Sequence, residues 1–220
     1  MTTAVVRVAS DDARYPAALR MLGGGAPEAV AARGNLEPLR RPKLALLCSQ
    51  KCPGTLILRA YDLTQALREA GICVVSGFHS PIEEDCLKVL LRGKQPVIVC
   101  PARSIERMRI PHPWRDAFDT GRLLMLSPFH DRPRRASVES AAIRNRFVAA
   151  LGDALLVIHA EPDGKTLGIV TEALQRGRAV YTLDDDANAH LIRGGARIIA
   201  ANTAGDVLKN TWRGDQIVNP

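Results

Sequence analysis

Short apolar runs alternate along the chain with segments whose apolar residues recur at helical spacing. The apolar runs are predicted to be strands and lie at 44–48, 72–76, 96–100, 123–127, 154–160 and 179–183. The segments with helical spacing lie at 55–70, 82–92, 137–151, 166–177 and 203–209. Strands that are apolar on both faces and alternate with helices are typical of a parallel sheet covered on both sides. The pattern therefore predicts an α/β fold: a Rossmann-like, doubly wound, mostly parallel sheet with helices on both faces.

The domain organisation follows from the same pattern. The chain has 220 residues, enough for one domain that buries roughly 70% of its extended-chain surface. Residues 1–35, which contain the stretch Gly23-Gly24-Gly25, precede the first strong strand signal. Neither a linker nor a repeat divides the remainder. We therefore predict a short N-terminal lead-in at 1–35 and one Rossmann-like domain at 36–220.

The composition is that of a globular protein with a basic surface. Hydrophobic residues make up 46% and charged residues 24% of the chain. Thirty Lys and Arg against 23 Asp and Glu give a net charge of +7. This excess suits an anionic partner, although an inert basic surface explains it equally well. Aromatic residues are only 4%, so no base-stacking platform is apparent.

Cysteine usage and the termini bear on where the protein works. The five cysteines form no CxxC pair, and two of them, Cys73 and Cys100, lie in apolar strand-like runs. The N-terminus lacks the basic and apolar regions of a secretory signal. No apolar run approaches about 18 residues, the length of a membrane-spanning helix. These features predict a cytoplasmic, soluble protein with reduced thiols and no membrane association.

Candidate ligand-binding residues follow the predicted strands. Ligands of doubly wound sheets bind beyond the carboxyl ends of the strands, where the strand order reverses. The glycine fingerprints of dinucleotide sites and P-loops are absent. Ser49, Gln50 and Lys51 follow the strand at 44–48, and Ser76 and Gly77 end the next one. They could hold a phosphate; alternatively, Ser49 caps the next helix and Ser76-Gly77 is a simple turn.

A third candidate segment precedes the predicted strand at 154–160 and is rich in arginine. Residues 132–146 contain Arg134, Arg135, Arg144, Asn145 and Arg146. At about 100° per residue Arg144 and Arg146 lie about 200° apart, so we expect only one of them to face a ligand cleft. A solvated basic face is the alternative.

The fourth segment, Gly164-Lys165-Thr166, lies between a strand and a helix. It has the geometry for holding an anion on a helix N-terminus; the alternative is that Thr166 only caps the helix.

The sequence offers little support for a metal site or a catalytic site. The five histidines show no metal-ligand spacing and no Ser-His-Asp arrangement. Glu83, Glu84 and Asp85 suit a solvated helix face better than an acid/base pair. The run 184–186 suits a loop or a helix start. We therefore expect no catalytic residues, no metal and no cofactor.

Four segments resemble the DNA-processing protein A (DprA/Smf) family of bacteria. They are YPAALRMLGGGAPEAVAARGN (15–35), RNRFVAALGDALLVIHA (144–160), DGKTLGIVTEALQRGRAVYTL (163–183) and NAHLIRGGA (188–196). The sequence also departs from the family pattern. Cys48-Ser49-Gln50 stands where the family has Gly-Ser-Arg, Glu83 replaces an Asp, and Leu87 replaces a His. The winged-helix domain and the N-terminal helical domain of many members have no counterpart.

The resemblance implies a function and a site. Family members bind single-stranded DNA, dimerise and hand the strand to a RecA-type recombinase during natural transformation; they are not known as enzymes. The residues expected to contact the phosphates are Ser49, Gln50, Lys51, Ser76, Gly77, Arg134, Arg135, Arg144, Asn145, Arg146, Gly164, Lys165 and Thr166.

Two other functions stay open. The first is binding of a nucleotide or nucleotide-derived ligand, as in the wider superfamily. The second is N-glycosidic hydrolysis of the cytokinin-activating type, whose Pro-Gly-Gly-x-Gly-Thr loop is replaced here by residues 161–166.

Overall fold

A single sheet organises the part of the chain that the computed structural model describes, residues 4–215, with side chains for residues 4–212. Its strands are β1 (Val6–Ala9), β2 (Ala29–Arg33), β3 (Lys43–Cys48), β4 (Cys73–Ser76), β5 (Val97–Val99), β6 (Leu123–Ser127), β7 (Ala154–His159), β8 (Val180–Thr182) and β9 (Arg197–Ile198). They lie in the order β1-β2-β6-β5-β4-β3-β7-β8-β9. The strands β3 to β9 run parallel, whereas β1 and β2 form an antiparallel edge next to β6.

Seven α-helices accompany the strands in the described part of the chain. They are α1 (Gly54–Glu69), α2 (Pro81–Leu90), α3 (Arg115–Asp119), α4 (Val138–Leu151), α5 (Lys165–Gln175), α6 (Ala189–Arg193) and α7 (Ala204–Asp215). On α1 the buried residues Leu56, Ala60, Leu63 and Leu67 recur at spacings of three and four, which gives one apolar stripe. Helices α1, α2, α3 and α7 pack on one face of the sheet, and α4, α5 and α6 pack on the other.

The central strands are buried on both faces. All residues of β3, β4, β5, β6, β7 and β8 are buried, which explains why their sequences show no polar alternation. The predicted α/β class, the parallel sheet and the helices on both faces are confirmed.

The first 35 residues contribute more structure than the sequence pattern indicated. Strands β1 and β2 pair with each other, and β2 pairs antiparallel with β6, so both belong to the main sheet. Their sequences, VRVA and AVAAR, are short or rich in alanine and give a weak strand signal. The boundary at residue 35 stays a prediction, and residues 1–3 and 216–220 of the predicted segments lie outside the described residues.

The strand order reverses between β3 and β7. The chain runs from β3 through β4 and β5 to β6 on one side, then crosses to β7 on the other side of β3. The two strands pair from Leu44 with Ala154 to Cys48 with His159. Loops after such a pair diverge to opposite faces of the sheet, which leaves a crevice at their carboxyl ends.

Candidate anion-binding cleft

A cleft of about 940 Å³ opens at this reversal of strand order. Its sides are the residues after β3, the residues after β7 and the N-terminal halves of α4 and α5. Of the residues predicted from the sequence, it contains Ser49, Gln50, Arg144, Asn145, Arg146, Gly164, Lys165 and Thr166. Lys51, Ser76, Gly77, Arg134 and Arg135 do not line it.

Ser49 ties the two loops that border the cleft. Its Oγ accepts a hydrogen bond of 3.1 Å from the backbone N–H of Glu161, and its own N–H donates to the carbonyl of His159 at 2.9 Å. The N-cap of α1 is Pro53, so the alternative that Ser49 caps this helix is wrong. Gln50 follows it as an exposed residue of the cleft, whereas the exposed Lys51 does not line the cleft.

Ser76 and Gly77 do not line the cleft, but Gly77 contacts Arg144, which does. Ser76 is completely buried, and its Oγ accepts a hydrogen bond of 3.2 Å from the N–H of Phe78. Gly77 lies directly against the guanidinium of Arg144. A Cβ at Gly77 would be 1.3 Å from Nη1 of that arginine. The two residues therefore shape the turn that makes room for Arg144.

Arg144 is a buried cation in the wall of the cleft. The residue is only 3% exposed, and its Nη1 donates a 3.3 Å hydrogen bond to the carbonyl of Cys100. Its Nε is buried and has no hydrogen-bond partner among the residues that the structure describes. Burial lowers the pKa of the guanidinium, while the charge of Glu83 acts in the opposite direction. A buried charged donor without a partner is rare in folded proteins and sets Arg144 apart from an ordinary structural arginine.

Glu83 was expected on a solvated helix face, and this expectation is wrong. The residue is 4% exposed, and its carboxylate accepts hydrogen bonds of 2.9 Å from the N–H groups of Cys48 and His79. Burial raises its pKa, and the N–H donors and the charge of Arg144 oppose that rise. It also completes a capping box with Ser80 at the start of α2. The spacing Ser-x-x-Glu was the signal for this role.

Arg144 and Arg146 both line the cleft, which contradicts the expectation that only one of them would. Two side chains about 200° apart on a helix cannot both enter a narrow pocket. Here the cleft wraps around the start of α4, so that Arg144 contributes from its buried side and Arg146 from its exposed side. Asn145, half-buried, lies between them.

The loop before α4 carries the other predicted arginines. Arg134 lines a separate pocket, and Arg135 is exposed on the segment between that pocket and the cleft. Helix α4 begins with a second capping box, in which Ser137 Oγ accepts from the N–H of Ser140 and Ser140 Oγ accepts from the N–H of Ser137.

The start of α5 presents free backbone donors to the cleft. Gly164 is the N-cap and no side chain caps the helix, so the alternative that Thr166 is the cap is wrong. The first N–H groups of a helix have no carbonyl partner within it and carry a partial positive charge. Lys165 is exposed at this end of the helix and Thr166 is buried beside it; both line the cleft.

An apolar strip, not predicted from the sequence, also lines the cleft. Val138, Ala141 and Ala142 of α4 face Ile169 of α5, and Val138 is 73% exposed. The spacing of three and four residues on α4 was the signal for this strip. Two carboxylates, Glu161 and Glu172, also line the cleft; the second forms a salt bridge of 2.8 Å with Arg176.

Two histidines and one aspartate of the sequence analysis form hydrogen bonds within the fold. His159 shares a 2.9 Å hydrogen bond with Asn188, and His190 contacts the carbonyl of Ala160 at 2.8 Å. Asp185 caps a short 3₁₀ turn at 186–188, as expected for a loop or helix start. Residues 4–215 contain no group of three potential metal ligands and no helix long and apolar enough to cross a membrane.

Comparison with known proteins extends these findings. The family model for DNA recombination-mediator protein A matches residues 7–213. A search of curated proteins finds no match.

Among solved structures, DNA processing protein A of Streptococcus pneumoniae has a TM-score of 0.76 and 24% identity over 93% of this chain and 73% of that one. The protein of Helicobacter pylori, described for its single-stranded DNA binding mode, has a TM-score of 0.76 and 17% identity over 94% of this chain and 96% of that one.

A more distant likeness is to the molybdenum cofactor carrier protein of Chlamydomonas reinhardtii. Its TM-score is 0.54 at 16% identity, over 79% of this chain and 99% of that one. At these identities the structural matches establish the fold. The family model spans nearly the whole chain, and it confirms the resemblance found in the sequence: this chain belongs to the DNA recombination-mediator protein A (DprA) family.

Proposed function

We propose that this protein binds single-stranded DNA by holding its phosphodiester backbone in the cleft between β3 and β7. Membership of the family supports a role in DNA processing, and a relative of the same fold is described as binding single-stranded DNA. The proposal includes delivery of the strand to a RecA-type recombinase during natural transformation, a homodimeric assembly, and binding without catalysis. Light scattering of the purified protein and a recombinase-loading assay test the assembly and the delivery.

The observation that carries the proposal is the uncapped start of α5 between two cations. The N–H groups of its first turn have no side-chain partner, and Lys165 and Arg146 are exposed on either side of the same cleft. Neither side chain donates to another residue in the described part of the chain. Free N–H groups with a nearby ammonium and guanidinium suit a phosphate oxygen.

The rest of the cleft suits single-stranded DNA bound without recognition of its base sequence. The apolar strip of Val138, Ala141, Ala142 and Ile169 offers van der Waals contact to bases and no hydrogen-bonding pattern that would select one base. Phosphate contacts fix the position of a nucleic acid and carry no sequence information. We therefore expect binding with little sequence preference and a strong salt dependence.

Binding of a small nucleotide-derived ligand is the second candidate. A cleft of about 940 Å³ is within the size range of small-molecule sites. Gln50 stands where the resemblance places an arginine, which removes one phosphate contact. In this case the same residues would hold one phosphorylated ligand rather than successive phosphates of a strand.

Fluorescence anisotropy separates the two candidates. A labelled single-stranded oligonucleotide is titrated with protein at low and moderate salt, with duplex DNA and free mononucleotides as competitors. Preferential binding of the single strand, with an affinity that falls steeply with salt, supports the first function. Displacement of the oligonucleotide by micromolar mononucleotide supports the second.

The double variant Lys165→Ala/Arg146→Ala locates the binding. Its matched control is Arg193→Ala/Arg197→Ala, which removes the same charge from exposed positions outside the cleft, at the last residue of α6 and the first residue of β9. We expect the first variant to lose affinity for the single strand and the control to retain it. Equal affinity of the two variants would contradict the proposed site.

A further inference from the structure

A second basic pocket lies beyond the carboxyl ends of β5 and β6. It has a volume of about 450 Å³ and is formed by the loops that follow these two strands. The pocket presents four arginines, Arg103, Arg107, Arg109 and Arg134. Only one of them, Arg134, was singled out from the sequence.

The backbone that carries these arginines is held in place. The Oγ of Ser127 donates to the carbonyl of Arg103 at 2.9 Å, and the N–H of Ser104 donates to the carbonyl of Pro133 at 2.8 Å. Arg33 donates through Nη1 to the carbonyl of Met108 at 2.7 Å. These bonds tie the loop after β5 to the loop after β6 and to β2. The four arginines thus project from a fixed frame, which lowers the entropy cost of binding.

The charge of the pocket is not neutralised from within. Glu106 and Asp131 also line it, so the formal balance is four positive charges against two negative ones. None of the four arginines forms an ion pair or a side-chain hydrogen bond with another residue in the part of the chain that the structure describes. Arg107, Arg109 and Arg134 are exposed. Guanidinium groups free of carboxylates can bind phosphate oxygens in a bidentate manner.

The pocket and the cleft are parts of one edge of the sheet. Both lie at the carboxyl ends of parallel strands, separated by β4. Neighbouring strands are about 4.8 Å apart, so the midpoint of β5 and β6 is about 14 Å from the midpoint of β3 and β7. A single strand of DNA covers this distance in a few nucleotides.

One segment of chain connects the two places. The loop before α4 contributes Asp131 and Arg134 to the pocket, then Ala136 and Ser137 to the cleft. The exposed Arg135 lies between the two contributions. The surface between pocket and cleft therefore carries a cation of its own.

We propose that the pocket of Arg103, Arg107, Arg109 and Arg134, which we call the arginine pocket, is a second phosphodiester-binding site that extends the path of the DNA strand from the cleft toward β6. This inference rests on the proposed function of the cleft. It predicts that a short oligonucleotide occupies the cleft alone, whereas a longer one reaches both sites.

The test compares two oligonucleotide lengths in the double variant Arg107→Ala/Arg109→Ala. These two side chains are exposed and form no hydrogen bond or ion pair within the part of the chain that the structure describes, so we expect their removal to leave the fold intact. Oligothymidylates of about 4 and about 16 nucleotides cover the range of site sizes of single-strand binders. Arg193→Ala/Arg197→Ala again serves as the matched loss of charge.

The expected result depends on length. Each phosphate contact to a single strand makes the slope of log affinity against log salt more negative by about 0.7. Losing two contacts should therefore make the slope for the longer oligonucleotide less steep by about 1.4. At about 0.1 M salt this corresponds to about 25-fold weaker binding. Affinity for the shorter oligonucleotide should equal that of the unmodified protein.

Other outcomes overturn the inference and are distinguishable from failure of the cleft proposal. If the variant binds both lengths as the unmodified protein does, the arginine pocket contacts no DNA, and the cleft proposal stands. If it loses equal affinity for both lengths, the pocket is not a separate extension of the path. If the unmodified protein binds neither length, the proposed function itself fails.

Discussion

Replacing Gly77 with alanine tests whether the guanidinium of Arg144 fills the space beneath the cleft. The new Cβ would be 1.3 Å from Nη1, 2.0 Å from Cζ and 2.6 Å from Nε of that arginine, whereas Cβ contacts in proteins essentially always exceed 3.0 Å. Nη1 must therefore move by roughly 1.7 Å, the difference between the first and last of these distances. Such a movement breaks its hydrogen bond to the carbonyl of Cys100.

The energetic cost follows from these two effects. Overpacking of a buried site costs about 1–3 kcal/mol, and loss of a hydrogen bond from a charged donor costs about 1.5–3 kcal/mol. Together these effects lead us to expect that Gly77→Ala lowers the free energy of unfolding by about 2.5–6 kcal/mol. For a chain of this size the melting temperature should fall by about 10 °C, since each kcal/mol corresponds to about 2–4 °C.

Urea and thermal unfolding, followed by circular dichroism, measure this cost. Gly168→Ala is the matched control, because a Cβ at this position of α5 meets nothing within 4 Å. It should stabilise the protein by about 0.5–1 kcal/mol through the higher helix propensity of alanine. In a second experiment Gly77→Ala is combined with Arg144→Ala, where the alanine has room and should cost little. A Gly77→Ala protein as stable as the unmodified one, or a strictly additive double variant, would refute the close packing of these two residues.

Two further predictions concern the loop after β3. Ser49→Ala leaves the N–H of Glu161 without its acceptor, so the free energy of unfolding should fall by about 1–3 kcal/mol in urea titrations; an unchanged value would mean that water replaces the hydroxyl. Cys52 is half-buried, and the neighbouring thiol of Cys48, acting as a hydrogen-bond donor, lowers the pKa of Cys52. The other four cysteines are buried, and their pKa values are raised. A thiol reagent at pH 8 should therefore modify one cysteine rapidly, and Cys52→Ser should abolish this fast phase; a fast phase that survives the substitution would contradict the assignment.

The fold was predictable because its strands are buried on both faces. Continuous apolar runs such as LALLC at 44–48 and ALLVIHA at 154–160 have no other simple explanation when helical segments separate them. Strands β1 and β2 were not predicted from the hydrophobic pattern because their own sequences give a weak strand signal; β1 is held by pairing with β2, and β2 by pairing with β6. The reversal of strand order between β3 and β7 was not predicted from the sequence; once the strand order is known, it explains why the loops after these two strands border the cleft.

Side-chain roles within the cleft were harder to predict. Whether a polar residue is exposed or buried depends on which element packs over it, and sequence spacing does not report this. Glu83 and its neighbour Glu84 are equivalent in the sequence. In the structure Glu83 is buried and accepts hydrogen bonds from the N–H groups of Cys48 and His79, whereas Glu84 is exposed. Gly77 looked like a turn residue or a ligand contact, and its role is to admit Arg144.

The binding of DNA at the start of α5 is the central claim, and hydrogen exchange at that helix tests it most directly. The N–H groups of Lys165, Thr166 and Leu167 have no carbonyl partner within the helix and no side-chain cap, so they should exchange rapidly in the free protein. We predict that adding a single-stranded oligonucleotide of about 16 nucleotides slows exchange in the peptide covering these residues. The peptide covering the first turn of α7, outside the cleft, should not change. Unchanged exchange at the start of α5 while the oligonucleotide is bound would contradict the account.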